Sequence, residues 1–446
     1  MKKKIWLLVL VLIAAGAGFV YFSPMFEKNP PKISIDSNGY TNLRNPINIT
    51  LKDDTGIKSY EVVLVVNGNR KVLAQEDNPQ MGKEVNIKLR LPRNINAKEV
   101  TIEVLANDIS KWHLLKGNTA NAKMTLLVDT TAPDAQVVNN SYAIGRGGSA
   151  AAVVQVNDKN LKNAYILVNG KYSFKLTPFY KKGYYVALVA WPIWEKSFSA
   201  DLVAEDYAGN VVKEHIPYYW KTKGIYNPKA VKIQISDKFI NQVAKRVLDK
   251  MGMSIPNDPV KIFKKVNEDV RKINEKEIFN ITRPVYENRL NGFYINRFEP
   301  LPGSAKRADF GERRHYYYKG SEISFAIHKG VDLAKVRRAR IYANNNGIVV
   351  ASKYIGIYGN ALIVYHGLGL YTLYGHTSEF KVRKGQRVHK GEIIARTGAT
   401  GAVFGDHLHF GVYIQGIPVQ PLEWMDPHWI QTNVVKVINE SKGMIK

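Results

Sequence analysis

The sequence predicts a mainly β protein, and three observations carry that reading. From about Lys32 to Lys223, short alternating runs such as Tyr60-Glu61-Val62-Val63-Leu64-Val65-Val66 and Val85-Asn86-Ile87-Lys88-Leu89 are separated by turn residues, the pattern of half-buried strands. This half also repeats itself. Val66-Asn67-Gly68 recurs 102 residues later as Val168-Asn169-Gly170, and Ile102 to Asp108 recurs 98 residues later as Ala200 to Asp206. The third observation is a C-terminal part, from about residue 295, that is again strand-rich with glycine turns throughout. A period near 100 residues suits two tandem β-sandwiches, expected at 32–130 and 131–223. A short helical segment at 232–290 and an antiparallel-β domain at 295–430 complete the expected architecture.

In chain order, Lys2-Lys3-Lys4 precede the uncharged run Ile5 to Phe22. Residues 1–22 are therefore expected to be an uncleaved membrane anchor or a signal, with Trp6, Tyr21 and Phe22 as interfacial aromatics. Positive charge inside would leave the rest of the chain outside the cytoplasm, anchored in the inner membrane and facing the periplasm, or released there if the signal is cleaved. Pro24, Pro30 and Pro31 mark a stiff linker. The junction Asp129-Thr130-Thr131-Ala132-Pro133 and the turn Asp206-Tyr207-Ala208-Gly209-Asn210 resemble those of bacterial immunoglobulin-like modules, which implies that both sandwiches are of that kind. Further on, Ser236-Asp237 can cap a helix burying Phe239, Ile240, Val243, Val247 and Met251. Asp258-Pro259 can start another with Ile262, Val266, Val270 and Ile273 on one face. The sandwiches or the helical region would offer a surface to a regulatory protein partner.

Length and composition bound the function. At 446 residues the chain is too long for one core. A net charge of +26 favours contact with something anionic. The lysines are nevertheless spread along the whole chain without a recognition helix or aromatic nucleic-acid motif, so no nucleic-acid partner is expected. The absence of cysteine excludes both a disulfide framework and thiolate metal ligands.

Histidines are concentrated. Eight of the ten lie between His315 and His428. His407-Leu408-His409 follows a glycine-rich loop in a β-prone segment, and residues two apart on a strand point to the same face, roughly 6.5 to 7 Å apart. Two such imidazoles are either a pair of surface histidines or the start of a metal site. His328 and Asp332, four apart around Gly330, add an imidazole and a carboxylate. Three N and O ligands with an open fourth position describe a catalytic zinc site.

The motifs His328-x-Gly330-x-Asp332, Tyr358-Gly359-Asn360, Tyr371-x-x-Tyr374-x-His376, Thr397-Gly398-x-Thr400-Gly401 and His407-x-His409, in that order, resemble the lysostaphin-type, or LytM-like, zinc endopeptidases of peptidoglycan. Phe310-Gly311-Glu312-Arg313 resembles the family's first strand. The resemblance implies one Zn2+ held by His328, Asp332 and His409, with His376 and His407 as an unliganded catalytic pair. It implies hydrolysis of peptide cross-links or stem peptides of cell-wall peptidoglycan by metal-activated water. No H-E-x-x-H helix supplies a glutamate base. Some members have lost ligands and act as silent, wall-binding activators of partner hydrolases, the alternative reading; this chain retains all five residues. In some relatives a preceding segment plugs the active site, and the loop from Asn291 to Ala308 is the expected counterpart. His315, His366, His389 and His428 are expected to be ordinary surface or turn histidines.

Overall fold

A computed structural model describes residues 2–78 and 82–445. Met1 of the expected anchor segment, and residues 79–81 of the expected first sandwich, lie outside the described residues. The chain is mainly β and divides into two compact units. One holds the chain up to Pro133 with Asp158–Lys162 and Glu205–Val211; the other holds Asp134–Asn157, Asn163–Ala204 and Val212 onward.

In the first unit, strands Lys32–Asp36, Ile47–Lys52 and Glu84–Leu89 form one sheet. Tyr40–Thr41, Thr119–Val128, Glu99–Asp108, Ile57–Val66 and Asn69–Asp77 form a second, in that order. Alternation decides which side chains are inward. Ile47, Ile49 and Leu51 are buried while Asn48 and Lys52 are exposed, and they share one core with Val62, Leu64, Ile102 and Val104. The repeat seen in the sequence has a structural counterpart. Asn67-Gly68 and Asn169-Gly170 each turn a hairpin with both residues at positive φ. Asn118 links the Asp108 carboxylate to the Glu27 carbonyl, just as Asn210 links Asp206 to the Asp129 carbonyl. The helix Lys2–Phe22 is the one span, among the described residues, long and apolar enough to cross a membrane.

In the second unit, Thr177–Pro178, Tyr184–Ala190, Ser149–Asn157 and Asp134–Asn140 form a four-stranded antiparallel sheet. Helical turns run from 237 to 250 and from 259 to 282, started by Ser236 and Asp258 side chains that accept the Phe239 and Lys261 amides. Ile240, Val247, Ile262, Val266, Val270 and Ile278 are buried in one cluster with Ala351, Ile363, Tyr371 and Leu373 of the C-terminal sheet. Ile273, expected on the buried face, is exposed; the helix runs on past 275 and Ile278 takes the inward position.

The C-terminal sheet orders Ala305–Ala308, Val331–Ala334, Leu408–Ile414, Leu370–Thr377, Asn360–Tyr365, Gly347–Tyr354 and Arg387–Val388, with Ile417–Val419 paired to Leu408–Ile414. A smaller sheet joins Ala230–Gln234, Arg313–Tyr318 and Ser321–Ile327. Helical turns between 421 and 444 pack on the strands Asp134–Asn140 and Ser149–Asn157. There the buried Glu423 accepts the amide and hydroxyl of Ser149 at 2.9 and 3.1 Å.

Candidate metal centre

The sheet collapses long sequence separations. Val331–Ala334 runs antiparallel to Leu408–Ile414 in a register that sets Asp332 directly across from His409. Such partners have Cβ atoms about 4.5 to 5.5 Å apart. His328 enters from the turn just before, and Gly330 explains how the strands come so close. A Cβ at that position would lie 2.6 Å from the Phe410 carbonyl oxygen and 2.7 Å from His409 Nε2. Only glycine fits there.

Three ligand-type atoms meet as a result. His328 Nε2 lies 3.1 Å from Asp332 Oδ1 and 3.0 Å from His409 Nδ1, and His409 Nδ1 lies 3.0 Å from Asp332 Oδ1. Zinc–nitrogen and zinc–oxygen bonds of about 2.0 to 2.2 Å at tetrahedral angles separate neighbouring ligand atoms by roughly 3.3 Å. The triangle therefore fits one small divalent ion. Protonation agrees with this at His328. Its Nδ1 is 2.8 Å from the Asp309 carbonyl, which can only accept, so in the neutral ring the proton sits on Nδ1 and the Nε2 lone pair faces inward. Burial raises the Asp332 carboxyl, but the facing His328 and His409 imidazoles outweigh it and hold the group well below the ordinary carboxylate range. Burial pushes His409 down to about 4, so its ring is neutral at neutral pH.

His376 and His407 stand beside the triangle. Their ring centroids are 4.8 Å apart, and His407 Nε2 is 3.9 Å from Asp332 Oδ1. Both orient in the same way: Nδ1 of His376 bonds the Thr400 carbonyl, and Nδ1 of His407 bonds the Gly405 carbonyl, each at 2.8 Å. Each neutral ring then presents an unprotonated Nε2. Burial, with His407 and His409 nearby, holds His376 well below the usual imidazole range. Its backbone has φ of +61°, a left-handed conformation uncommon outside glycine. The Thr400 hydroxyl stabilises that corner by accepting the Asn360 amide and donating to the Thr377 carbonyl. The motifs Tyr358-Gly359-Asn360 and Thr397-Gly398-x-Thr400-Gly401 meet here.

The sequence reading missed the groups around the five. Arg314 donates to Asp332 Oδ2 at 3.2 Å and to Glu312 Oε2 at 3.0 Å, leaving Asp332 Oδ1 to the imidazoles. The Phe310-Gly311-Glu312-Arg313 motif ends one residue before it, which was the available signal. Lys329 pairs with Glu275 at 2.7 Å and lies over the Trp194 ring. Tyr316, Tyr358 and Arg271 also line the small cavity, of about 80 Å3, that contains the five residues. The loop from Asn291 to Ala308 supplies none of its lining. That loop instead buries Phe298 against Phe410 and His366 and borders a separate cavity of about 870 Å3. His366 is not an ordinary surface ring: it bonds Thr372 Oγ1 and the Asn346 carbonyl, and burial lowers it to about 4.

Residues 326–421 match the family described as Peptidase family M23. The chain is 33% identical over 156 residues to the DD-carboxypeptidase/endopeptidase Mpg of Neisseria meningitidis, covering 35% of this chain and 31% of that protein. It is 36% identical over 98 residues to the peptidoglycan DD-endopeptidase ShyA of Vibrio cholerae, covering 22% of this chain and 23% of that protein. The catalytic domain of the antimicrobial peptidase lysostaphin from Staphylococcus simulans aligns at 24% identity and a TM-score of 0.24, covering 27% of this chain and 92% of that one. The chain spans about a third or less of the two curated relatives, and residues 326–421, the part that matches the family, hold all five histidine and aspartate positions. The C-terminal part of this chain, residues 326–421, is similar to Peptidase family M23 and carries a histidine–aspartate–histidine group whose ligand atoms could hold one metal ion.

Proposed function

We propose that the protein is a zinc-dependent endopeptidase that hydrolyses peptide cross-links or stem peptides of bacterial peptidoglycan. One observation carries this: two imidazole nitrogens and a carboxylate oxygen within 3.1 Å of one another, with two further imidazoles against them. His328, Asp332 and His409 would hold one Zn2+, which supplies a positive centre that acidifies water and polarises the scissile carbonyl. His407, the more open of the remaining pair, takes the proton of the attacking water on Nε2 and returns it to the leaving amine. His376, neutral and with its proton committed to Thr400, presents a second acceptor. It can steady an oxyanion only after gaining a proton on Nε2.

The names of the matched relatives support peptidoglycan as substrate and the cell envelope as location. Lys2–Phe22 would anchor the chain in the inner membrane, or act as a signal for release to the periplasm. The working domain limits are 32–130 and 131–223 for two immunoglobulin-like sandwiches, 232–290 for the helical segment and 295–430 for the peptidase. A regulatory protein would dock on the sandwiches or the helices. Metal analysis and chromatography of digested purified peptidoglycan test the reading. His328→Ala, Asp332→Ala and His409→Ala should lose zinc and cleavage together. His407→Ala, and His376→Asn, which tolerates the left-handed backbone, should keep zinc and lose turnover. Cleavage that survives chelation would overturn it.

A further inference from the structure

The metal pocket has a neighbour. A cavity of about 300 Å3 shares Arg271, Arg314, Tyr316, Ile357 and Ala402 with it. The rest of its wall is chiefly apolar, with Ile233, Ile235, Phe239, Phe263, Val266 and Phe404. Its volume is at the lower end of ligand-sized pockets.

Three cations line the metal cavity, two of them, Arg271 and Arg314, shared with its neighbour, and they are not equivalent. Arg314 is taken by Asp332 and Glu312, and Lys329 by Glu275. Arg271, half-buried, has no carboxylate within 4.0 Å among the described residues. Its guanidinium is nevertheless held in place. Nε donates to the Asn267 carbonyl at 3.0 Å, and Nη2 donates to Asn267 Oδ1 at 2.7 Å. Asn267 is itself buried and fixed by donating to Ser324 Oγ at 2.8 Å; that hydroxyl donates to Glu268. Nη1 has no protein partner among the described residues. A positioned, partly desolvated cation beside a lysine is costly unless an anion completes it. A guanidinium fork suits a carboxylate above other anions of a peptide.

We propose that Arg271 is a specificity-determining residue that binds a free carboxylate on the substrate residue next to the scissile bond, with the apolar cavity receiving that residue's aliphatic chain. The substrate class is then a peptide whose residue at the cleavage point combines a free carboxylate with an aliphatic side chain. This rests on the endopeptidase reading above. Arg271 comes from the helical segment, outside the residues 326–421 that match the family.

The test compares the zinc-loaded full chain on cross-linked muropeptide dimers with free carboxylates and on the same dimers converted to carboxamides. Wild type should prefer the free form by roughly 10- to 100-fold in kcat/KM, mostly in KM, the worth of a charged hydrogen bond. Arg271→Gln should bring that ratio close to unity with zinc content unchanged, and Arg271→Lys should restore part of it. A wild type indifferent to amidation, or an Arg271→Gln protein with full discrimination, overturns the assignment. The amidation comparison needs no variant, so a folding defect in Arg271→Gln leaves the test intact. A zinc-loaded wild type that cuts neither dimer overturns the endopeptidase reading itself, and this inference with it.

Discussion

Arg314 acts on the metal group through Asp332. By taking Oδ2 it leaves Oδ1 as the single oxygen facing His328 and His409. Removing a partner of this kind typically weakens metal affinity by about 10- to 100-fold. Arg314→Ala should do so in a competitive zinc titration; Arg314→Lys, which keeps charge but loses the fork, should fall between. Gly330→Ala should be harsher. Its new Cβ meets the Phe410 carbonyl, a backbone atom that cannot step aside, so zinc stoichiometry and Tm should fall together. At this scale the five histidine and aspartate positions were legible, because their spacing survives in the chain as motifs. Arg271 and Arg314 were not. An arginine's role depends on which carboxylates the fold brings to it: Arg314 meets Asp332 from another strand as well as the nearby Glu312, and Arg271 meets none among the described residues.

The helix that runs to Thr282 shows what periodicity can and cannot specify. The caps at Ser236 and Asp258 and the inward Ile262, Val266 and Val270 follow from local pattern. The next inward residue does not, because the sheet beneath takes Ile278, 1% exposed, and leaves Ile273 47% exposed. Ile278→Ala should therefore cost about 2 to 5 kcal/mol in urea unfolding. Ile273→Ala should stay within about 0.5 kcal/mol. Equal effects would mean the helix faces differently. The β-strands were easier to read. Alternation gave the strands around Val62 and Ile87. The pairing of Asp332 with His409, 77 residues apart, needed the assembled sheet.

At the scale of the whole chain, the mainly β class and the similarity of residues 326–421 to Peptidase family M23 were both readable. The packing of the C-terminal helices on the strands Asp134–Asn140 and Ser149–Asn157 was not, since nothing local marks the partner of an apolar face. Glu423 lies inside that contact. Burial pushes its carboxyl up to about 8, against an ordinary value of 4.5. An acid raised on folding contributes fully below its unfolded pKa and loses that contribution as pH rises through its folded one. Stability from this contact should decline between about pH 4.5 and 8. Glu423→Gln should flatten that part of the Tm-versus-pH curve.

The same contact bears on how the protein can be shortened for biochemical work. Trp424 donates to Ser149 Oγ, and Asn139 and Ser141 donate to carbonyls of Val437 and Asn433. Cutting the gene just upstream of residue 295 would strip these partners away and present sticky apolar helices to solvent, inviting precipitation. Starting at Asp134 keeps them covered, so soluble yield should distinguish the two truncations before any assay is run.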